Sequence, residues 1–373
     1  MRYIILIFMT FASLLVSCYK PYYANVITDK KALVVDGLIT NEKVSYKVRL
    51  TYAAPFDSAV SAIPVTSAKV TVMDNHTKLY SYHETGNGYY VSDSLSFTGH
   101  PGYEYTLYIT TSEGDRYESD PQKLLPAKQP DNVYAEFDSQ ETLNRITGLV
   151  ELTHGGDILI DIKNRADTLP HLRITSDLVL QYYYIDCPMF SPCYYFYCWQ
   201  TINADPSINL TGEGYSANSA SVIKHKVCFI DDNINCYAVS YAKGRQEPDL
   251  SYIGVKTMTY QFYMVHHRLI YLKQYSLNNS AYLYYKSMNE QLRSDGKLFD
   301  PIATQLIGNI KCITNPDKKA FGFFETSSVS LSAYTVDFKN LDNNQPSIKK
   351  IPYILPPTSN GCLVNKAPSF WVY

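Results

Sequence analysis

The chain has 373 residues, with 33 lysines and arginines against 35 aspartates and glutamates. A formal net charge of −2 gives bulk electrostatics no hold on nucleic acid or an anionic membrane surface, so neither is an expected partner. Charged residues make up 18% of the chain, below the usual ~25%, while 35 tyrosines point to a folded, β-rich protein of two or three domains.

At the N-terminus, Arg2 precedes an apolar run from Tyr3 to Val16. A spanning helix needs ~20 such residues, so this run has the length and order of a secretory signal instead. It ends in Leu15-Val16-Ser17-Cys18, which resembles a bacterial lipobox: cleavage removes residues 1–17 and the Cys18 thiol and new amine are acylated. Cys18 is therefore the expected lipid attachment site and 18–31 the tether. Several acyl chains hold a bilayer far better than one, at ~0.8 kcal/mol per buried CH₂. Tyr19 is not the aspartate that retains such proteins at the inner membrane, which favours the outer membrane. No acidic run follows Cys18, and both the periplasmic face and the cell surface stay open as the location. Of eight cysteines, seven remain after Cys18 (8 − 1), and an oxidising compartment favours their pairing.

From Ala32 the pattern is strand-like. "ALVVDGLIT" is an apolar run bounded by turn residues; "YKVRLT" alternates with Tyr46, Val48 and Leu50 on one face. "YEYTLYIT" alternates through Tyr105, Leu107 and Ile109, and Gly86-Asn87-Gly88 marks a hairpin turn. Short strands at this spacing predict an immunoglobulin-like or transthyretin-like β-sandwich over 32–127. "LLPAKQPDN" then reads as the boundary. A larger β-rich domain is expected over 128–373, opening with Ile158, Ile160 and Ile162 in alternation. It should carry one amphipathic helix at about 277–294. Its stripe is Leu277, Ala281, Tyr284, Met288 and Leu292, with Ser276 as the N-cap and Gly296 as the stop.

The lipobox Cys18, "LVVDGLIT", "DRYESDPQKLLP", Cys198-Trp199, "LKQYSLNNSAYLYY", "LFDP", "GNIKC", "GFFETSSVS" and "KAPSFW" together resemble the envelope lipoproteins of the family called domain of unknown function 4249. The resemblance covers nearly the whole chain. It implies company rather than chemistry: these proteins are often encoded beside TonB-dependent outer-membrane receptors, so such a receptor is an expected partner. Cys198 and Cys312 stand where relatives tend to carry cysteines, and their pairing is the expected long-range disulfide. Cys228 and Cys236 flank the polar turn "FIDDNIN" and form the expected local one. A closed loop of ~15 residues contributes about 3 kcal/mol.

The stretch "YYYIDCPMFSPCYYFYCWQ" concentrates cysteines and rings. Cys187, Cys193 and Cys198 are too widely spaced for a zinc knuckle, and no metal or other cofactor is expected. Tyr194, Tyr195, Tyr197 and Trp199 could stack on a sugar or peptide, but strands this aromatic more often pack a core. His266 and His267, on a strand, would face opposite ways. No nucleophile, metalloprotease or nucleotide-binding motif occurs, so an enzyme is not expected. Two functions remain in view. One is a binding or accessory lipoprotein of a TonB-dependent uptake system; the other is a structural or assembly protein of the envelope with no small ligand.

Overall fold

The computed structural model describes residues 32–53, 62–93, 97–143, 148–163, 171–187, 194–205, 207–211, 222–231, 236–240, 260–292, 306 and 308–336. The protein is mainly β. Strands β1 (Leu33–Ile39), β2 (Lys47–Tyr52), β3 (Ile63–Pro64), β4 (Lys69–Asp74) and β5 (Leu79–Gly86) come first. β6 (Tyr89–Ser92), β7 (Glu104–Thr110), β8 (Arg116–Ser119) and β9 (Gln122–Lys123) follow in the same sheet. Alternation sets the inner face: Tyr46, Val48 and Leu50, then Tyr105, Leu107 and Ile109, are all buried.

The tyrosine excess is partly explained there. Tyr80 stacks on Phe97 at 3.8 Å between centroids, and Tyr46 meets the same ring edge-on at 5.0 Å. Their hydroxyls do not go unpaired: Tyr80 donates to Asp74 Oδ2, Tyr90 to Val65 O and Tyr46 to Thr40 O. These three tyrosines fill the core and satisfy a backbone or carboxylate acceptor at its rim, whereas the buried Tyr82 hydroxyl has no hydrogen-bond partner among the described residues.

Residues before 128 do not complete this sheet. β18 (Ile310–Cys312) pairs antiparallel with β8, and β19 (Ala320–Thr326) pairs parallel with β1. These consecutive strands lie side by side, so the path through nine strands of this eleven-stranded sheet nearly meets itself. The result is a barrel-like sheet rather than the separate sandwich expected over 32–127. Glycine permits the closure. A Cβ on Gly308 would stand 1.7 Å from the Gly322 carbonyl oxygen, and one on Gly322, at φ +85°, would stand 1.9 Å from that of Val35. The Asn309 side chain then bonds both the N–H and the carbonyl of Phe324 at 2.9 Å.

The remaining strands form two facing sheets. β10 (Asn132–Leu143), β11 (Val150–Lys163) and β15 (Val222–Asp231) make one. The other holds β12 (Leu172–Cys187), β13 (Tyr194–Asn203), β14 (Asn209–Leu210), β16 (Cys236–Ser240), β17 (Tyr260–Ser276) and β20 (Ser328–Thr335). Ile158, Ile160 and Ile162 pack against Leu172, Ile174, Leu178, Ile270 and Leu272 between them.

Helix α1 (Asn279–Leu292) lies within the expected span but is turned about its axis. Its buried residues are Ala281, Tyr282 and Asn289, while Leu292 is 70% exposed. Asn278 caps it in place of Ser276, its Oδ1 accepting the Ala281 N–H at 2.9 Å. Ser276 instead ends β17 and accepts the Lys128 N–H through its hydroxyl.

Candidate functional site

The strongest concentration of buried polar chemistry lies where the barrel-like sheet meets the six-stranded sheet. The chain itself crosses there: β19 ends at Thr326 and β20 starts at Ser328 in the other sheet. Glu325, only 2% exposed, is the last acidic residue before the crossing. Arg173 comes from β12, whose alternation sends Leu172 and Ile174 into the sandwich core and Arg173 to the opposite face. Its Nη2 donates to Glu325 Oε1 at 3.1 Å and Oε2 at 3.0 Å. The guanidinium lies over the Tyr275 ring at 4.1 Å and the Tyr285 ring at 4.8 Å. Tyr285 Oη, from α1, donates to Glu325 Oε2 at 2.5 Å, and Ser327 Oγ donates to Oε1 at 2.6 Å.

Burial works against the Arg173 charge, but the Glu325 carboxylate and the two tyrosines more than offset it, holding the guanidinium above its ordinary range. Burial, then Glu325, pushes the Tyr285 phenol up, so it stays a donor. Asp36 on β1 keeps an exposed surface at the rim, yet the protein around it and then the Glu325 charge raise its carboxyl. Each Glu325 oxygen already accepts two hydrogen bonds, which fills the capacity of a carboxylate. Such a carboxylate has no lone pair left to take a proton from a substrate. The centre is a clamp.

Further polar ties surround it. Lys273 Nζ meets Glu42 at 2.8 Å, and the Asn41 side chain bonds the Val329 N–H at 2.6 Å. Asn278 and Ser280 donate to Gln122 Oε1 at 3.0 and 2.9 Å. Lysine ends, short amides and serines thus bind strands of one sheet to strands and helix of the other.

Cys18 lies outside the described residues. Cys228 and Cys312 are buried free thiols, so neither the Cys198–Cys312 nor the Cys228–Cys236 bridge is present in this structure. Cys228 packs in the sandwich core on β15, where burial pushes its thiol up to about 12. Cys312 sits in the core of the barrel-like sheet, whereas Cys198 belongs to β13 of the six-stranded sheet. Trp199 is buried against Val179 and Leu269 and offers no open stacking face. Tyr194, Tyr195 and Tyr197 occupy β13 opposite Asp186, Ile185 and Tyr183, with side chains outside the described set. At the histidine pair, Gln181 faces His267 while Tyr182 faces Val265, so His266 is the extra residue of a β-bulge. The side chains of His266 and His267 lie outside the described residues.

A groove of ≈ 550 Å³ runs along β18 and β19. Of its three lysines, Lys311 pairs with Asp120 at 2.7 Å and Lys318 with Asp115 at 2.6 Å. Arg173, Tyr285 and Glu325 were missed from sequence because they lie on three separate segments. The one local sign was Glu325, a lone charge inside the apolar run "GFFETSSVS".

Fold and centre together define a mainly β protein whose sheets are joined by a buried ion pair with a fully hydrogen-bonded carboxylate. The chain belongs to the family described as domain of unknown function (DUF4249), whose model matches residues 19–332. No curated protein and no solved structure matches it.

Proposed function

We propose that this protein is an outer-membrane-anchored lipoprotein, a binding or accessory component of a TonB-dependent nutrient-uptake system. The observation that carries this is Leu15-Val16-Ser17-Cys18 closing a short apolar leader. Membership in the family supports it. On this reading Cys18 takes the lipid, a bilayer and a receptor are the partners, and the chain contributes binding rather than catalysis. In detergent-solubilised envelope, the native protein should carry an acylated Cys18 and co-purify with a TonB-dependent receptor; Cys18→Ala should move it to the soluble fraction. An uncut N-terminus with a free thiol, or fractionation that Cys18→Ala leaves unchanged, would sink the reading.

A second reading, a structural or assembly protein of the envelope, is favoured by the buried Arg173–Glu325 pair, which ties β12, β19 and the helix together. Deletion separates the two. The first predicts growth loss on particular nutrients, the second a weakened envelope whatever the carbon source.

A further inference from the structure

β18 and β19 stand at the two ends of the path through the barrel-like sheet, β18 on β8 and β19 on β1, and lie beside each other. Asn309 holds one end of the seam between them. Its side-chain amide donates to the Phe324 carbonyl and accepts the Phe324 N–H, bonds that a neighbouring strand's backbone would otherwise make. Toward the other end the chain turns back through 313–319, and there the seam opens into the groove of ≈ 550 Å³. Small-molecule sites occupy about 300–1,000 Å³, so the space is large enough for a ligand.

The walls are fixed before anything binds. Lys311 on β18 meets Asp120, just past β8, at 2.7 Å, and Lys318 meets Asp115, just before β8, at 2.6 Å. Between these ion pairs the Ile313 N–H donates to the Arg116 carbonyl at 2.7 Å, and the Arg116 N–H donates to Thr314 Oγ1 at 3.1 Å. The turn is thereby fastened to β8 near both of its ends. A site held in shape in advance loses less order when it is filled.

Its lining selects the occupant. Ile310, Ile313, Pro316, Ala320 and Phe321 supply an apolar surface. The side-chain hydrogen-bonding groups among the described lining residues are three ammoniums, Lys311, Lys318 and Lys319, and the Cys312 thiol. An ammonium donates and never accepts, and a thiol accepts weakly. A sugar needs acceptors for its own hydroxyls, so this lining suits a head group that only accepts. Charge narrows the choice. Asp120 and Asp115 balance Lys311 and Lys318, while Lys319 is exposed and has no carboxylate within ion-pair distance among the described residues. One positive charge beside apolar surface matches a single carboxylate on a hydrocarbon body better than a phosphate dianion. We infer that the groove binds a small organic monocarboxylate, with its carboxylate on Lys319 and its apolar body against Ile310, Ile313 and Phe321. As a site this rests on the groove alone; as a role in uptake it rests on the binding reading above.

Full-length protein in non-ionic detergent, titrated by calorimetry with 4-phenylbutyrate as the probe acid, tests the inference. Saturable binding of one acid per chain is expected. The neutral 4-phenylbutan-1-ol, with the same body and no charge, should bind at least fivefold more weakly, and inorganic phosphate should not bind at the same concentrations. Lys319→Glu should weaken the acid at least fivefold and leave the alcohol unchanged, since an exposed ion pair contributes about that factor at most and reversal adds repulsion. Ile313, 52% exposed, allows a second variant: Ile313→Asp should weaken both acid and alcohol. Thermal unfolding should be the same in both variants as in the native chain. Equal affinity for acid and alcohol, tighter binding of phosphate, an affinity indifferent to Lys319→Glu, or no saturable binding would each overturn it. A free thiol at Cys18 would remove the role in uptake and leave the titration standing, so the two readings fail separately.

Discussion

Glu325 shows how much one side chain can hold. It receives Arg173, Tyr285 and Ser327 from three directions, and removing it leaves the Arg173 charge buried without a counter-ion. Glu325→Ala should therefore cost about 3 kcal/mol or more in denaturant unfolding. Tyr285→Phe should cost about 1 kcal/mol, since the ring stays and only one hydrogen bond goes. Equal losses from both would contradict the clamp. His225 makes a pH prediction. Asn209 donates its amide to the carbonyls of Lys226 and Val227, so its Oδ1 must accept from His225 Nε2–H at 2.6 Å. Burial lowers this imidazole to about 4. Above the unfolded value of about 6.5 both states are neutral and His225 has no effect. As pH falls from there toward 4, only the unfolded chain takes the proton, so stability drops by up to about 3 kcal/mol and then levels off. In His225→Gln that part of the acid slope should vanish from a series of denaturant titrations.

At the scale of elements, the strands were legible wherever one face is buried and the other wet. Tyr46–Leu50, Tyr105–Ile109 and Ile158–Ile162 could be read straight from alternation, because the pleat allows only one assignment. The helix was legible in position but not in rotation. Its apolar stripe through Leu292 competes with the pull of Tyr285 toward Glu325 on a distant strand, and Asn289 is buried while Leu292 is exposed. Its cap was misplaced by two residues because both Ser276 and Asn278 are competent, and only the end of β17 decides between them. The expected Cys198–Cys312 bridge rested on positions in a family, and the expected Cys228–Cys236 bridge on flanking a turn; neither measures distance in a fold.

For the whole molecule, the expected boundary at 127 marks where the chain leaves the first sheet but not where that sheet ends. β18 and β19 supply both closing edges and place Ile310, Cys312 and Phe324 in the same core as Leu33 and Leu107. A chain stopped at 305 should lose the barrel-like sheet as well as the clamp, because β1 and β8 would present open edges over an uncovered core. Hydrogen exchange on that truncated protein should show β1 and β8 amides unprotected; native-like protection there would mean residues 32–127 stand alone.

The Asn41 side chain grips Val329 across 288 positions of sequence. Loops that long close slowly, and every such closure must happen before its contacts can reward it. The earliest strand to emerge therefore waits for one of the last, its pairing face open in the meantime. Until the return strands arrive, a helper that shields sticky edges has something to hold, and refolding from denaturant should be slow even where the finished protein is firm.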